Sequence, residues 1–351
     1  MAPEDGITGR VRLAVRIAVR DYLLADDNVT AVDFGLPLHG GEIAEDERAI
    51  RVHVRQKLPL SVLEAAGLPA VPRTIREFET DVLEGTYRPH LWWQTVGAQP
   101  RADPRVVRAD PLRGGISISD NRHYAAGTLG AGVTDRSTGV QMILSNWHVL
   151  VADWAGRPGQ PIYQPGRLDG GTATDAVARL TRDAMSNNLD AAVATLTGSR
   201  WLVNDQLGLG PITGVALATH GLRVVKSGRT TGLTYGRVTG LAGVAQIAYS
   251  GIQRLIRQVV TIDPFWGGEV SRPGDSGSVW LENEKRQAVG LHFAGGDAPE
   301  RALAIDFAAV LAGLDVELEP GRVDIADQSP SVSEVTLANV RRAVATHVLL
   351  P

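Results

Sequence analysis

The sequence of 351 residues contains no cysteine. This absence excludes a disulfide framework, a zinc site with thiolate ligands and a cysteine nucleophile. The chain must therefore hold its fold by packing alone. Because secreted proteins commonly carry disulfides and proteins of a reducing compartment do not, we expect a cytoplasmic location.

Long hydrophobic runs are also missing. The most apolar stretch near the N-terminus, residues 11–24, is interrupted by Arg12, Arg16 and Arg20. A secretory signal needs an uninterrupted apolar segment, and a membrane helix needs about 20 apolar residues. We therefore expect neither. The three arginines recur at helical spacing, which is typical of a solvated helix face, although an anion-docking face would look the same.

Charge of one sign does not dominate the chain. It has 35 basic and 39 acidic residues, hence a formal net charge of −4, and 44% of its residues are apolar. This composition supports a hydrophobic core and gives no reason to expect nucleic-acid binding. Aromatic residues make up only 5%, whereas glycine is abundant at 39 residues. Abundant glycine predicts many tight turns between short strands.

The first 100 residues mix helix and strand signals. Residues 7–24 have helical spacing, and strand-like runs at 29–36 and 49–54 flank a turn at Gly40-Gly41. A short helix with Ser61 as its N-cap and a strand at 77–83 follow. We predict a small α+β domain over residues 1–100. A segment rich in proline and arginine then predicts a linker at 101–113.

From residue 114 onward the pattern becomes that of an all-β domain. Short apolar runs alternate with clusters of glycine, asparagine, aspartate and proline, which is typical of a β-sandwich or barrel. The runs lie at 140–144, 191–196, 222–225, 258–262, 278–281 and 288–293. Helical spacing returns at 303–315 and 333–349. We place the domain at 114–318 and a partly helical extension at 319–351.

Three segments carry candidate catalytic side chains. In LSNWHVL (144–150) an apolar strand runs into His148, and in NNLDAAVA (187–194) Asp190 opens an apolar strand. In RPGDSGSVW (272–280) Ser276 stands in a glycine-rich turn. Three other aspartates could supply the carboxylate in place of Asp190, but none of them begins an apolar strand at this spacing: Asp153, Asp175 and Asp183.

These residue types fit nucleophilic catalysis. A serine hydroxyl is a poor nucleophile at neutral pH and needs a base such as imidazole, which a buried carboxylate then orients. Backbone N–H groups of Gly274 and Ser276 would stabilise the oxyanion. The chain order is His148, Asp190, Ser276, with gaps of 42 and 86 residues. Chymotrypsin has this order with gaps of about 45 and about 93, whereas subtilisins and α/β-hydrolases differ, which disfavours an esterase on another fold.

The three segments together resemble those of trypsin-like, chymotrypsin-fold serine proteases, over residues 114–314. The segments GGISIS, AGTLG, QPGRLDGGT and AIRVHVRQKLP are further similar to cytosolic bacterial members and to the plant narrow-leaf serine protease. The resemblance implies a mainly β fold with two barrels, at about 114–205 and 206–318, between the N-terminal α+β domain and C-terminal helices. It implies a serine endopeptidase that works through an acyl-enzyme.

The resemblance also implies how the nucleophile loop and the substrate cleft are built. The Asp275 carboxylate would shape the oxyanion loop through a buried ion pair or hydrogen bond, whose partner in secreted members is a new N-terminal amine. Residues 113–116 (RGGI) faintly resemble the activation site that makes such an amine, but an exposed basic linker is favoured. Val270 would form the base of the primary pocket, or Glu269 if the alignment has a gap. Phe293 and Gly295 would line its wall.

Other functions find less support. The segment KSGRTTG (226–232) lacks the Gly-Lys-Ser/Thr order of a phosphate-binding loop. The eight histidines show no metal-ligand spacing, so we expect no cofactor and no metal. We expect protein or peptide substrates, and neither nucleic-acid nor membrane partners. The N-terminal domain would restrain the cleft, recruit substrate, or mediate assembly with a second copy or a regulatory partner; its pattern favours assembly. A latent, protease-fold scaffold remains the alternative function.

Overall fold

The computed structural model describes residues 8–89, 103–265, 268–297 and 300–319. Residues 1–321 form one compact unit. A second unit, residues 322–351, lies outside the described residues, as does the helix predicted at 333–349. The predicted domain boundaries remain a prediction.

The described chain is mainly β, which confirms the predicted fold class. Its strands are β1 Val29–Gly35, β2 Leu38–His39, β3 Glu42–Ile43, β4 Ala49–Val54, β5 Thr74–Ile75, β6 Phe78–Glu84, β7 Arg88–Pro89, β8 Leu112–Gly114, β9 Ser117–Asp120, β10 Gly127–Thr128, β11 Ala131–Asp135, β12 Gln141–Ser145, β13 Pro161–Tyr163, β14 Ala176–Asp183, β15 Ala192–Leu196, β16 Leu202–Gln206, β17 Gly210–Pro211, β18 Gly214–Val215, β19 Arg223–Gly228, β20 Gly232–Tyr249, β21 Ile252–Pro264, β22 Val279–Glu282, β23 Gln287–Asp297, β24 Glu300–Asp306 and β25 Val316–Leu318. Its α-helices are α1 Gly9–Ala18, α2 Leu60–Ala66, α3 Trp147–Leu150 and α4 Phe307–Leu314. A π-helical turn, Val19–Leu23, follows α1, and three short 3-10 turns lie at Arg167–Asp169, Ala173–Asp175 and Met185–Asn187.

An eight-stranded sheet contains the predicted His148 and Asp190 segments. Its strand order is β10-β9-β13-β14-β15-β12-β11-β25. Strands β12 and β15 are antiparallel neighbours, with Ser145 opposite Ala192. Because His148 follows β12 and Asp190 precedes β15, this pairing sets the two residues at the same end of the sheet.

A twelve-stranded sheet contains the Ser276 loop and also the N-terminal strands. Its order is β19-β22-β23-β24-β21-β20-β1-β4-β6-β5, and β18 and β7 each pair with β23 off this path. Strand β1 joins the N-terminal strands to β20 in antiparallel register, with Ala31 opposite Ala245. The α+β segment thus extends the sheet that holds the nucleophile loop.

Helix α1 covers this N-terminal part of the sheet. The Thr8 side chain caps it by accepting from the Val11 N–H, and the helix buries Val11, Ala14, Val15 and Ala18. The arginines at 12, 16 and 20 are exposed on the opposite side. Their exposure agrees with the solvated-face interpretation. No helix among the described residues is long and apolar enough to span a membrane.

Two helix predictions were wrong in detail. Residues 303–306, predicted as helical, belong to β24, and α4 begins only at Phe307, where the Asp306 carboxylate accepts from the Ala309 N–H at 2.8 Å. The run 302–305 is buried throughout, and a short apolar run has no periodicity that separates a buried strand from a buried helix. Helix α2 starts at Leu60 after Pro59, so Ser61 is not its cap.

Candidate active site

A short helix after β12 positions His148. The chain leaves β12 at Ser145 and turns at Asn146, whose extended backbone starts helix α3. The Asn146 side-chain amide donates to the Asp190 carbonyl at 2.7 Å, which ties this turn to the segment before β15. Asn146, His148 and Asp190 are all buried, so the imidazole lies in an environment that these two segments hold fixed.

His148 and Asp190 form a buried pair. The imidazole Nδ1 lies 2.5 Å from Asp190 Oδ2, and the His148 N–H donates to Oδ1 at 3.1 Å. The Nε2 atom of His148 is buried and has no hydrogen-bond partner among the described residues. An imidazole bound to a carboxylate through Nδ1, with Nε2 left over, is arranged to accept a proton there. The competing carboxylates pair elsewhere: Asp153 with Arg122, Asp175 with Arg108 and Thr172, and Asp183 with the Met185 N–H.

The Ser276 loop is shaped by two glycines. The Asp275 N–H donates to the Arg272 carbonyl at 3.0 Å and closes a turn with Pro273 second and Gly274 third. Gly274 has φ +101°, as a type II turn requires at its third position. Gly277 has φ +95°, and a Cβ there would overlap Thr128 and Ser145. Neither glycine can be replaced without strain.

Gly127 brings the two halves of the site together. A Cβ at this position would overlap Val149, the neighbour of His148, and would lie within 3.1 Å of the Ser276 carbonyl oxygen. The Thr128 N–H donates to that same carbonyl at 2.7 Å. Helix α3 and the Ser276 loop therefore meet across β10. The Ser276 hydroxyl itself donates to the Phe293 carbonyl at 3.2 Å rather than to His148.

The turn also presents two amides. The N–H groups of Gly274 and Ser276 have no acceptor among the residues that the structure describes, whereas those of Asp275, Gly277 and Ser278 donate within the fold. Thr128 Oγ1 donates to the Gly274 carbonyl at 2.8 Å and so fixes the Gly274–Asp275 peptide group, which lies between the two amides. Two unused, oriented amides beside a serine are suited to bind an oxyanion.

An internal lysine pairs with Asp275. Lys226 Nζ lies 2.9 Å from Asp275 Oδ2, and both side chains are wholly buried. The carboxylate also accepts from the N–H groups of Thr230, Thr231 and Arg272 at 2.9 to 3.0 Å. Burial raises the pKa of Asp275, but the Lys226 charge and these hydrogen bonds outweigh it and hold the pKa below its usual value. Asp275 is therefore ionised and anchors the loop from inside.

Residues 113–116 do not form an exposed connection. Strand β8 pairs in parallel with β16, Ile116 is buried, and the Gly115 N–H donates to the Leu129 carbonyl at 2.9 Å. Lys226 already forms the buried ion pair with Asp275. The Ser276 loop therefore needs no newly made N-terminal amine to pair with this carboxylate.

Tyr249 is a site residue that the sequence did not reveal. Its hydroxyl donates to Asp190 Oδ2 at 2.8 Å from the end of β20, and its ring packs against Trp147 at a centroid distance of 5.7 Å. Burial, together with the Asp190 charge, raises the pKa of Tyr249 well above its usual value. The hydroxyl therefore stays protonated and donates to Asp190, which limits the positions that the carboxylate can adopt beside His148.

We expect Tyr249→Phe to lower kcat about tenfold while leaving KM unchanged, because a hydrogen bond to a charged group is lost without any change at the substrate. Steady-state kinetics with a peptide substrate measure both constants, and a loss confined to kcat distinguishes a positioning role from a contact with the substrate. Tyr235→Phe, on an exposed tyrosine of the same strand, is the control. An unchanged kcat in Tyr249→Phe would contradict the positioning role.

The predicted pocket residues lie along β23 and before the Ser276 loop. Val270 is wholly buried, and its N–H and that of Ser271 donate to Glu300 Oε1 at 3.0 and 3.1 Å. Phe293 is buried in the core between the sheets, and only its carbonyl faces Ser276. The substrate pocket therefore stays a prediction. The Glu300 carboxylate lies beside Val270, the predicted base of that pocket, and counting back from Ser276 did not identify it. Glu269, the alternative base, pairs with Arg272.

No group of three or more histidine, aspartate or glutamate side chains in the described part of the chain could hold a metal ion.

Comparisons with known proteins find structural likeness only. No family profile and no curated protein matches the chain. The fold is similar to that of bacterial serine proteases. Thermobifida fusca protease A has a TM-score of 0.46 and 17% identity, covering 60% of this chain and 100% of the protease. A Nocardiopsis protease has a TM-score of 0.45 and 17% identity over 60% and 99%. A Cellulomonas bogoriensis chymotrypsin has a TM-score of 0.43 and 18% identity over 60% and 100%.

Proposed function

We propose that this protein is a serine endopeptidase in which Ser276 is the nucleophile, His148 the base and Asp190 the orienting carboxylate. The observation that carries the proposal is the buried His148–Asp190 pair, set across Gly127 from the serine loop. Within the described ranges, His148 Nε2 and two amides of that loop have no partner.

The reaction follows from these atoms. Ser276 Oγ leaves the Phe293 carbonyl, attacks the scissile carbonyl carbon and passes its proton to His148 Nε2. The amides of Gly274 and Ser276 stabilise the resulting oxyanion. When the C–N bond breaks, the imidazolium returns the proton to the leaving amine, and an acyl-enzyme remains. Water then attacks the ester by the same path, and Ser276 is regenerated.

Substrates in this proposal are extended protein or peptide segments. The carbonyl of Phe293 and the backbone of Gly295 lie on β23 beside Ser276, where an extended chain adds as a further strand. The apolar Val270 favours small or apolar side chains at the cleaved residue. The Glu300 carboxylate is already engaged by the N–H groups of Val270 and Ser271. The cytoplasmic location and the association with a second copy or a regulatory partner remain predictions.

A latent binding protein on the same fold is the second candidate. It is favoured by one observation, the hydrogen bond of Ser276 to the Phe293 carbonyl, which keeps the hydroxyl away from His148. In that case the serine would not react without a partner.

Labelling with a fluorophosphonate separates the two. We expect the purified full chain to gain one adduct, mapped to Ser276 by peptide mass spectrometry, and Ser276→Ala to gain none. Ser278→Ala, which removes a buried hydroxyl two residues away, should retain the adduct. An absence of labelling with and without cell extract would refute the enzyme, and labelling only with extract would establish the latent form.

A further inference from the structure

Strand β23 has two edges, and one of them borders the nucleophile. Strand β24 pairs with one edge along the whole stretch from Gly290 to Asp297. On the other edge lie β22 and the end of the Ser276 loop: the His292 N–H donates to the Ser278 carbonyl, and the Gly277 N–H donates to the His292 carbonyl, both at 2.9 Å. Ser276 Oγ then reaches the next carbonyl, that of Phe293.

The chain's own strand β7 continues this second edge. Arg88 lies opposite Gly295 and Pro89 opposite Ala294. Because β24 occupies the first edge at these positions, with Ala302 opposite Gly295, β7 lies on the edge that borders Ser276. These are the β23 positions that the proposed substrate strand would use.

The direction of β7 is that of a substrate. The pairing is antiparallel, so the chain passes from Gly295 to Ala294 as it runs from Arg88 to Pro89, and therefore runs toward Phe293 and Ser276. In any peptide cleaved at Ser276, the residues that precede the scissile carbonyl run N-to-C toward the serine. Strand β7 thus has the polarity and the register of the residues that lead into a scissile bond.

Contacts from the N-terminal strands hold this segment in place. The Tyr87 hydroxyl lies 2.6 Å from His53 Nδ1, and both side chains are buried. The Gly85 carbonyl accepts from Thr30 Oγ1 at 2.7 Å, and the Gly85 N–H donates to Val54. On β23, Gly296 allows the close approach, since a Cβ there would lie 2.7 Å from the Thr86 carbonyl oxygen. Residues 85–89 are therefore held by the N-terminal strands on one side and by β23 on the other.

We propose that residues 86–89 occupy the non-primed half of the substrate cleft in cis and compete with peptide substrates. The proposal rests on the proposed protease function, because only a protease has a substrate cleft here. The pairing of residues 86–89 with this edge can nevertheless be tested by peptide binding, without activity. A cleft that is free only part of the time binds substrate with an apparent affinity reduced by that fraction. Displacement of β7, by a partner or by a change at the Tyr87–His53 contact, would then raise the apparent affinity without altering the catalytic groups.

The test is peptide binding by inactive full chains. The probe is a fluorescent heptapeptide with the sequence of residues 84–90 (EGTYRPH), followed by anisotropy. In the Ser276→Ala background, we expect Arg88→Pro to tighten binding at least about tenfold, because proline removes an N–H from the paired strand and fixes its φ. The control is Arg73→Pro, an exposed arginine in a loop of the same sheet, which should change nothing.

A second variant covers the case in which Arg88→Pro does not fold, as judged by circular dichroism. Tyr87→Phe removes only the hydroxyl, which contacts His53 and Arg301, and we expect binding about fivefold tighter from the loss of these buried contacts. With Ser276 present, KM for peptide substrates should fall by the same factors and kcat should not change. Folded variants that bind no tighter than the parent would overturn the proposal. Tighter binding in the Ser276→Ala variants, together with no fluorophosphonate labelling of the matching chains that keep Ser276, with and without cell extract, would support the occupied cleft and refute the protease.

Discussion

Replacing Asp190 with asparagine is expected to lower kcat/KM by about 10,000-fold. The carboxylate contacts both His148 Nδ1 and the His148 backbone N–H. An amide at this position can present its NH2 group to Nδ1, which selects the tautomer that carries its proton on Nε2 and cannot accept another from Ser276. The loss falls on kcat, because no group that binds the peptide has moved.

The measurement is steady-state hydrolysis of a peptide substrate selected from a library by the wild-type chain. Asp183→Asn is the matched control, since Asp183 lies on the preceding strand, is exposed, and uses its carboxylate only to accept a backbone N–H. It should retain activity within about twofold, as for a surface change. Activity in Asp190→Asn that stays within tenfold of wild type would remove Asp190 from the mechanism.

Replacing Lys226 with methionine is expected to lower the free energy of unfolding by about 3–5 kcal/mol, because it leaves a buried carboxylate without its counter-charge. Asp275 would then either protonate or move toward solvent. Since Asp275 precedes Ser276 and anchors the turn that presents the Gly274 and Ser276 amides, we also expect kcat to fall in the fraction that remains folded.

Urea denaturation and fluorophosphonate labelling rates measure the two effects. Lys285→Met, on an exposed lysine, is the control and should stay within about 0.5 kcal/mol of wild type. Adding Asp275→Asn to Lys226→Met should restore part of the stability, since the uncompensated charge is gone, but not the labelling rate. Wild-type stability and labelling in Lys226→Met alone would show that the ion pair does not support the loop.

Features that follow from local sequence were predictable. The strand at 49–54 and the turn at Gly40-Gly41 arise from alternation and from glycine, and both occur as expected. The His148–Asp190 contact was predictable because an ordered triad of motifs encodes it, although the hydroxyl of Ser276 lies against Phe293 instead of His148.

Features that depend on long-range contacts were not predictable. Tyr249 is 59 residues from Asp190, and Lys226 is 49 residues from Asp275. Nothing in the neighbouring sequence distinguishes this tyrosine or this lysine from surface residues. Among the described residues, β7 contributes two residues to its pairing with β23, Arg88 and Pro89, and proline argues against a strand. Such contacts are set by the sheet order, which a single sequence does not reveal.

The position of β7 early in the chain has a consequence for biosynthesis. Residues emerge from the ribosome from the N-terminus onward, and Ser276 follows Pro89 by 187 residues. The segment that we propose to occupy the cleft is therefore already synthesised when β23 and the Ser276 loop first fold. In the proposed arrangement, β7 is thus available to the cleft from the moment the cleft forms, which would limit cleavage of neighbouring nascent chains without a separate inhibitor.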